Sequence, residues 1–156
     1  MKISNYIEPN RIFLNIRLPD KTSVLEFIAD TCTEHRLVTD RETLYRALLA
    51  REETMSTGIG NGIALPHAVN EKADQAAVLL IRPDHPIDFN AIDSLPVDII
   101  VALVIPQNRT TLHIQILAAV SRLCKNPGFA AAFRKAEEAC ELADEIMRLE
   151  SKMRFH

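Results

Sequence analysis

The chain has 156 residues, of which 47% are hydrophobic and 25% charged, a balance typical of one globular domain. The net charge of −3 and the lack of a lysine or arginine cluster argue against a nucleic-acid-binding protein. No apolar run approaches the roughly 18 residues of a membrane span, and the N-terminus lacks the layout of a signal peptide. We therefore expect no nucleic-acid partner and no direct membrane insertion.

The cysteines indicate a reducing compartment. Cys32, Cys124 and Cys140 form no CxxC pair, and an odd number of cysteines suits free thiols that pack as small hydrophobic side chains. We therefore expect a cytoplasmic location.

The first half of the chain predicts two amphipathic helices. Residues 20–23 are typical of a helix start, and apolar side chains then recur at near-helical spacing as far as Leu37. Thr39 or Asp40 can cap a second helix, whose apolar stripe consists of Leu44, Tyr45, Leu48 and Leu49. Residues 51–53 are expected to close this helix.

The centre of the chain predicts strands and the rest predicts helices. Residues 76–81 and 97–105 are apolar runs ended by prolines, with a short strand over residues 87–89 between them. Further on, Thr110 or Thr111 can cap a helix, and two more helical pieces begin at residues 129 and 136. This order predicts an α/β fold in which helices cover a sheet.

Three of the four glycines in the chain, Gly58, Gly60 and Gly62, alternate over five residues. Glycine permits a positive φ and close backbone approach, so backbone N–H groups here can converge on an anion. The spacing matches neither a Walker A loop nor a dinucleotide-binding fingerprint. A tight turn or bulge between two strands explains the same glycines, and spacing alone leaves both interpretations open.

His67 follows the glycines and is preceded by Pro66, which restricts the backbone and helps to aim the side chain. A neutral imidazole is nucleophilic at physiological pH and forms a labile phosphoramidate, which suits a relay that must release the group again. The alternative is a histidine with an ordinary, satisfied hydrogen bond and no chemical role.

Other side chains are candidates for binding phosphoryl oxygens. His113 lies in the first turn of a predicted helix, where the dipole disfavours the charged imidazole, although it could simply face solvent. Arg51 could bind two oxygens at once, although arginine near a helix C-terminus is also ordinary dipole compensation. Ser56 and Thr57 add hydroxyl donors or only shape the turn. A metal site is the rival use of two histidines, but no zinc-type spacing is present and we expect none.

The segment Ser56-Thr-Gly-Ile-Gly-Asn-Gly-Ile-Ala-Leu-Pro-His67 resembles the signature of the type-2 IIA domains of the bacterial phosphoenolpyruvate-dependent sugar phosphotransferase system. The similarity runs from about residue 3 to about residue 149 and includes Phe89-Asn-Ala-Ile-Asp93. The resemblance implies a mixed β-sheet flanked by α-helices, in a single IIA domain over residues 1–156. It also implies a phosphotransferase that needs no metal and no cofactor.

The resemblance implies a role for each matched residue. His67 would accept the phosphoryl group from HPr or its nitrogen-branch counterpart, His113 would orient it, and Arg51 would neutralise its charge. The other candidates for binding the phosphoryl group are Ser56, Thr57, Gly60, Asn61 and Gly62.

The branch of the family leaves two functions open. The Gly-Asn-Gly form and the free-standing domain resemble the nitrogen-regulatory IIA branch, in which the phosphorylation state would control binding to regulatory protein targets. The alternative is a sugar-specific IIA component of the fructose or mannitol type, which would pass the group to a IIB domain. Both functions use His67.

Overall fold

The computed structural model describes residues 1–71, 73 and 75–153. Over these residues the chain forms a mixed β-sheet flanked by α-helices, which confirms the predicted fold class. The strands are β1 (Ile12–Ile16), β2 (Gly58–Gly60), β3 (Ile63–Ala64), β4 (His67–Asn70), β5 (Ala77–Pro83) and β6 (Ile99–Pro106). The helices are α1 (Lys21–Glu34), α2 (Arg41–Thr54), α3 (Thr110–Lys125), α4 (Pro127–Lys135) and α5 (Ala139–Lys152).

Aspartate caps begin the first two helices, as the sequence predicts. The Asp20 carboxylate accepts the backbone N–H of Ser23 at 2.8 Å, and the Ser23 hydroxyl accepts the N–H of Asp20 in return. Asp40, rather than Thr39, caps α2 through the N–H groups of Glu42 and Thr43. Each cap satisfies N–H groups that the helix itself leaves without a partner.

The later elements correct three sequence predictions. The helix α3 has Arg109 at its cap position with no side-chain hydrogen bond, so neither Thr110 nor Thr111 is the cap. The last helix begins at Ala139 instead of residue 136, because Ala136 has extended backbone at the end of α4. The short strand predicted over residues 87–89 is only an isolated bridge between Ile87 and Val97.

The strand β6 lies at the centre of the sheet. On one side β5 pairs with it antiparallel, and β1 extends the sheet beyond β5 in a parallel pairing. The other side of β6 is shared by two short parallel strands, with β3 beside Ile99 and β4 beside residues 103–106. The carbonyl oxygen of Pro66, between these two strands, accepts the N–H of Leu103 at 3.0 Å. This pairing holds His67 at the start of β4.

Helices cover both faces of β6, and every residue of this strand is buried. Ile100, Ala102 and Val104 face the core beneath α1 and α2, whereas Val101 and Leu103 face the core beneath α3, α4 and α5. A strand that is covered on both faces consists mostly of apolar residues, which is why polar and apolar residues do not alternate along residues 97–105. Within the described part of the chain, none of the helices has the length and apolar character needed to cross a bilayer.

The strands β2 and β3 form an antiparallel hairpin whose turn is Asn61-Gly62. Asn61 has a φ of 58° and Gly62 a φ of 79°, and two positive angles are what a type I′ turn requires. The carbonyl oxygen of Asn61 accepts a hydrogen bond from Arg134 of α4 at 2.9 Å, and Arg134 also pairs with Asp98. The glycine cluster therefore builds a hairpin between two strands.

We expect Gly62→Ala to lower the free energy of unfolding by about 2 kcal/mol, because alanine at positive φ is strained. Its Cβ would also lie 2.5 Å from both Arg134 Nη2 and Asp98 Oδ1. Chemical denaturation measures the effect, and Asn61→Gly is the matched control because glycine adopts the same φ without strain. An unchanged stability of Gly62→Ala would contradict this account of the turn.

Candidate active site

His67 is half-buried, and its two ring nitrogens have different partners. Nδ1 lies 2.7 Å from the backbone carbonyl oxygen of Leu65. A carbonyl oxygen can only accept a hydrogen bond, so Nδ1 carries the proton and the neutral ring keeps its lone pair on Nε2. Nε2 accepts the Nε–H of Arg51 at 3.3 Å, which requires the same tautomer. The geometry therefore makes Nε2 the nucleophilic nitrogen of the ring.

Arg51 reaches this nitrogen from the last turn of α2. Its Nη1 donates to the carbonyl oxygen of Met55 at 2.8 Å, just beyond the end of the helix. Because the guanidinium group holds five N–H donors in one plane, one edge can bind the helix end while another faces His67. The two interpretations of Arg51 from the sequence are therefore compatible.

His113 approaches His67 from the first turn of α3. The centroids of the two imidazole rings are 6.3 Å apart, and the ring planes cross at 71°. His113 is half-buried beside His67, which disfavours the alternative of a side chain that simply faces solvent. The structure thus brings together three of the predicted site residues, His67, His113 and Arg51. Within the described residues, no three histidine, cysteine, aspartate or glutamate side chains are grouped to hold a metal ion.

The electrostatic surroundings keep His67 neutral. Burial is the largest effect on its pKa and lowers it below the ordinary value, because a charged imidazolium is poorly solvated there. The positive charge of Arg51 and the neighbouring His113 lower the pKa of His67 further. The hydrogen bond to Leu65 and the negative charge of Glu52 raise it, but they do not outweigh burial. A neutral ring at pH 7 is the state in which Nε2 keeps its lone pair.

An NMR titration should therefore place the pKa of His67 below the ordinary histidine value of about 6.5. As pH falls through this lowered pKa, Nε2 takes up a proton and loses its nucleophilic lone pair. Arg51→Gln should shift the midpoint upward, because it removes a positive charge that disfavours the protonated ring. A wild-type midpoint at or above 6.5 would be incompatible with the buried, cation-flanked site.

The hydroxyl groups of Ser56 and Thr57 are engaged in shaping the chain before β2. Ser56 Oγ donates to the carbonyl oxygen of Phe89 at 2.5 Å and accepts the N–H of Gly58 at 3.1 Å. Thr57 Oγ1 donates to the Glu52 carboxylate at 2.5 Å. A part for either hydroxyl in binding a phosphoryl group stays a prediction.

The turn residues Gly60, Asn61 and Gly62 lie apart from the His67 ring. Ile63, which follows the turn, pairs with Ile99, whereas His67 pairs with Leu103, four residues further along β6. At roughly 3.3 Å per residue this separation is about 13 Å. Binding of a phosphoryl group on Nε2 by these three turn residues stays a prediction.

Glu52 is a buried carboxylate beside Arg51 that is not among the candidate residues predicted from the sequence. It is 6% exposed, and its carboxylate accepts hydrogen bonds from the backbone and the hydroxyl of Thr57. Its position in the sequence does carry one indication of a role. A carboxylate in the last turn of a helix is disfavoured by the helix dipole, so a compensating interaction is expected there. Spacing alone predicts only that residues 51–53 close this helix.

The family model described as phosphoenolpyruvate-dependent sugar phosphotransferase system, EIIA 2, matches residues 5–148. The chain belongs to this family. The resemblance predicted from the segment that ends at His67 is thereby confirmed. Membership makes the chain a phosphoryl-transfer component of a phosphotransferase system.

Individual relatives agree with this assignment of the IIA chain. A nitrogen regulatory protein of Pseudomonas aeruginosa is 30% identical over 139 residues, which cover 89% of this chain and 90% of the relative. The crystal structure of nitrogen regulatory protein IIA-Ntr from Neisseria meningitidis matches with a TM-score of 0.84 at 26% identity, covering 92% of this chain and 98% of that one. A chain in the complex of enzyme IIA-mannitol with phosphorylated enzyme IIB-mannitol from Escherichia coli shares the fold, with a TM-score of 0.78, 16% identity, and coverage of 91% and 97%.

Proposed function

We propose that this IIA chain is a phosphoryl relay in which His67 accepts the group on Nε2 and releases it to a second protein. The observation that carries the proposal is the tautomer set by the Leu65 carbonyl oxygen, which leaves the Nε2 lone pair beside Arg51. A nucleophile next to a permanently charged guanidinium group is an arrangement suited to transfer of a negatively charged group.

In the proposed step, the P–N bond of a donor phosphohistidine breaks as a P–N bond to Nε2 of His67 forms. The donor imidazole keeps the electron pair of the broken bond, and no proton has to move at Nε2. The Nδ1–H stays hydrogen-bonded to the Leu65 carbonyl oxygen, which stabilises the positive charge that the ring gains. Arg51 would turn its N–H groups to the phosphoryl oxygens, where charge is spread in the transition state.

The proposed donor is an HPr-like phosphocarrier, either HPr or its nitrogen-branch counterpart, in the cytoplasm. The nitrogen regulatory relative favours a regulatory role, in which the phosphorylation state of His67 sets the binding of target proteins. The alternative role is a sugar-specific IIA component that passes the group to a IIB domain, as the fold shared with enzyme IIA-mannitol allows.

Incubation with phosphoenolpyruvate, enzyme I and each of the two phosphocarriers tests the proposal. We expect an acid-labile, base-stable label on the IIA chain with at least one carrier. Subsequent addition of a IIB protein then separates the roles, since loss of the label to IIB supports the sugar-specific alternative and its retention supports regulation. No label with either carrier would refute the relay.

His113→Ala should still accept the phosphoryl group but should transfer it onward about tenfold more slowly. Loss of one hydrogen bond to a charged group accounts for an effect of this size. Single-turnover transfer from the labelled protein measures the rate, and His85→Ala is the control because the His85 side chain is 87% exposed. An onward rate equal to that of the control would remove His113 from the mechanism.

A further inference from the structure

The carboxylate of Glu52 is buried at the end of α2, next in sequence to Arg51. It accepts the backbone N–H of Thr57 at 2.8 Å, the hydroxyl of Thr57 at 2.5 Å, and the ammonium group of Lys21 at 3.0 Å. Burial of a carboxylate costs free energy unless such partners compensate it. Three hydrogen bonds on one buried carboxylate hold the backbone and the side chain of Thr57 in place against the end of α2.

A chain of hydrogen bonds leads from Glu52 to the ring of His67. Thr57, held at both its N–H and its hydroxyl, uses its carbonyl oxygen to accept the N–H of Leu65 at 2.9 Å. The carbonyl oxygen of Leu65 then accepts the Nδ1–H of His67 at 2.7 Å. The group that sets the tautomer of His67 is therefore itself positioned through Thr57 and Glu52.

Lys21, the cation that binds Glu52, is itself held by a further contact. The Lys21 ammonium group lies 5.1 Å from the centre of the Phe89 ring, and the carbonyl oxygen of Phe89 accepts the Ser56 hydroxyl. Lys21 thus joins α1, α2 and the chain before β2 around one carboxylate. The same end of α2 carries Arg51 to the opposite nitrogen of His67.

We propose that Glu52 is a positioning residue for His67, which holds the ring in the Nδ1–H tautomer through Thr57 and the Leu65 carbonyl oxygen. The inference rests on the proposed function only in giving this tautomer a role in phosphoryl transfer. Glu52 acts through Thr57 and Leu65 rather than by touching the phosphoryl group. Its negative charge also favours the protonated form of His67, against the effect of Arg51 and His113.

The variant Glu52→Gln tests the inference, because it keeps the shape of the side chain and removes the charge. The matched control is Glu53→Gln, which makes the same change at the exposed neighbouring residue. NMR of ¹⁵N-labelled histidine reads the tautomer and the pKa of His67 directly. In Glu52→Gln we expect a share of Nε2–H tautomer and a lower pKa of His67, and in Glu53→Gln we expect the wild-type values.

Phosphoryl acceptance provides the second readout. We expect Glu52→Gln to lower the rate at saturating phosphocarrier about tenfold and to leave the KM for the carrier unchanged, because misplacement of a reacting group slows the reaction without removing contacts to the carrier. A wild-type tautomer, pKa and rate in Glu52→Gln would overturn the inference. Failure of the wild-type protein to accept any label would instead refute the proposed function, and the NMR result would still decide the role of Glu52.

Thr57 variants cover the case in which Glu52→Gln does not fold. Thr57→Val removes the hydroxyl that binds Glu52, whereas Thr57→Ser retains it. We expect Thr57→Val to shift the His67 tautomer and Thr57→Ser to restore it. Equal tautomer populations in Thr57→Val and wild-type protein would overturn the inference, because the link between Glu52 and His67 would then carry no effect.

Discussion

Substitution of His67 by alanine should abolish phosphoryl labelling of the IIA chain by phosphoenolpyruvate, enzyme I and a phosphocarrier. The expected loss is on the order of a thousandfold or more, because no other group can replace a nucleophile that forms the covalent intermediate. We do not expect His113 to take over, since its ring centroid lies 6.3 Å from that of His67 and Arg51 contacts Nε2 of His67. Acid-labile label retained after gel separation is the quantity to measure.

Two controls make the His67 result specific. His85→Ala should label like the wild-type protein, because His85 is an exposed histidine outside the site. Circular dichroism should show a folded His67→Ala protein, since His67 is only half-buried at the start of β4. Substantial label on folded His67→Ala protein would mean that another residue accepts the group.

Replacement of Arg51 by glutamine should slow phosphoryl acceptance about a hundredfold, the usual cost of removing one donor that stabilises a developing charge. Arg51→Lys should restore part of this loss, because lysine supplies the charge but not the planar pair of N–H donors. The matched control is Arg46→Gln on the same helix, where the side chain is 78% exposed and pairs only with Glu42 among the contacts described.

The measurement for Arg51 is the single-turnover rate of acceptance at saturating phosphocarrier. Because Arg51 also donates to the carbonyl oxygen of Met55, part of any effect could come from the helix end, so thermal stability is measured alongside. A rate for Arg51→Gln equal to that of Arg46→Gln would reduce Arg51 to the helix-end role that the sequence offered as its alternative.

The parts of the fold that follow from local chemistry were predictable. Asp20 and Asp40 mark helix starts because their carboxylates satisfy free N–H groups, and the apolar run of β6 reflects burial on both faces. The strand β1 was not predicted, since the polar Asn15 interrupts its short apolar run, and the structure shows a register shift at the same place. The strand β4 has only four residues, and its pairing with β6 depends on tertiary contacts.

The site was predicted in part for the same reason. His67 ends the recognised motif, whereas Arg51 and His113 lie outside it and are candidates because their side chains can bind phosphoryl oxygens. The fold brings the three together. Gly60 and Gly62 have two explanations in the sequence, and the position of the hairpin along β6 favours the turn. The role of Glu52 depends on a chain of backbone hydrogen bonds that spacing does not reveal.

The most direct test of the account is the atom that carries the phosphoryl group. NMR correlation of ³¹P with ¹⁵N in phosphorylated, histidine-labelled protein identifies the residue and distinguishes its two ring nitrogens. The account predicts phosphorus bonded to Nε2 of His67, with the proton still on Nδ1 beside the Leu65 carbonyl oxygen. Phosphorus bonded to Nδ1 of His67, or to any other residue, would contradict it.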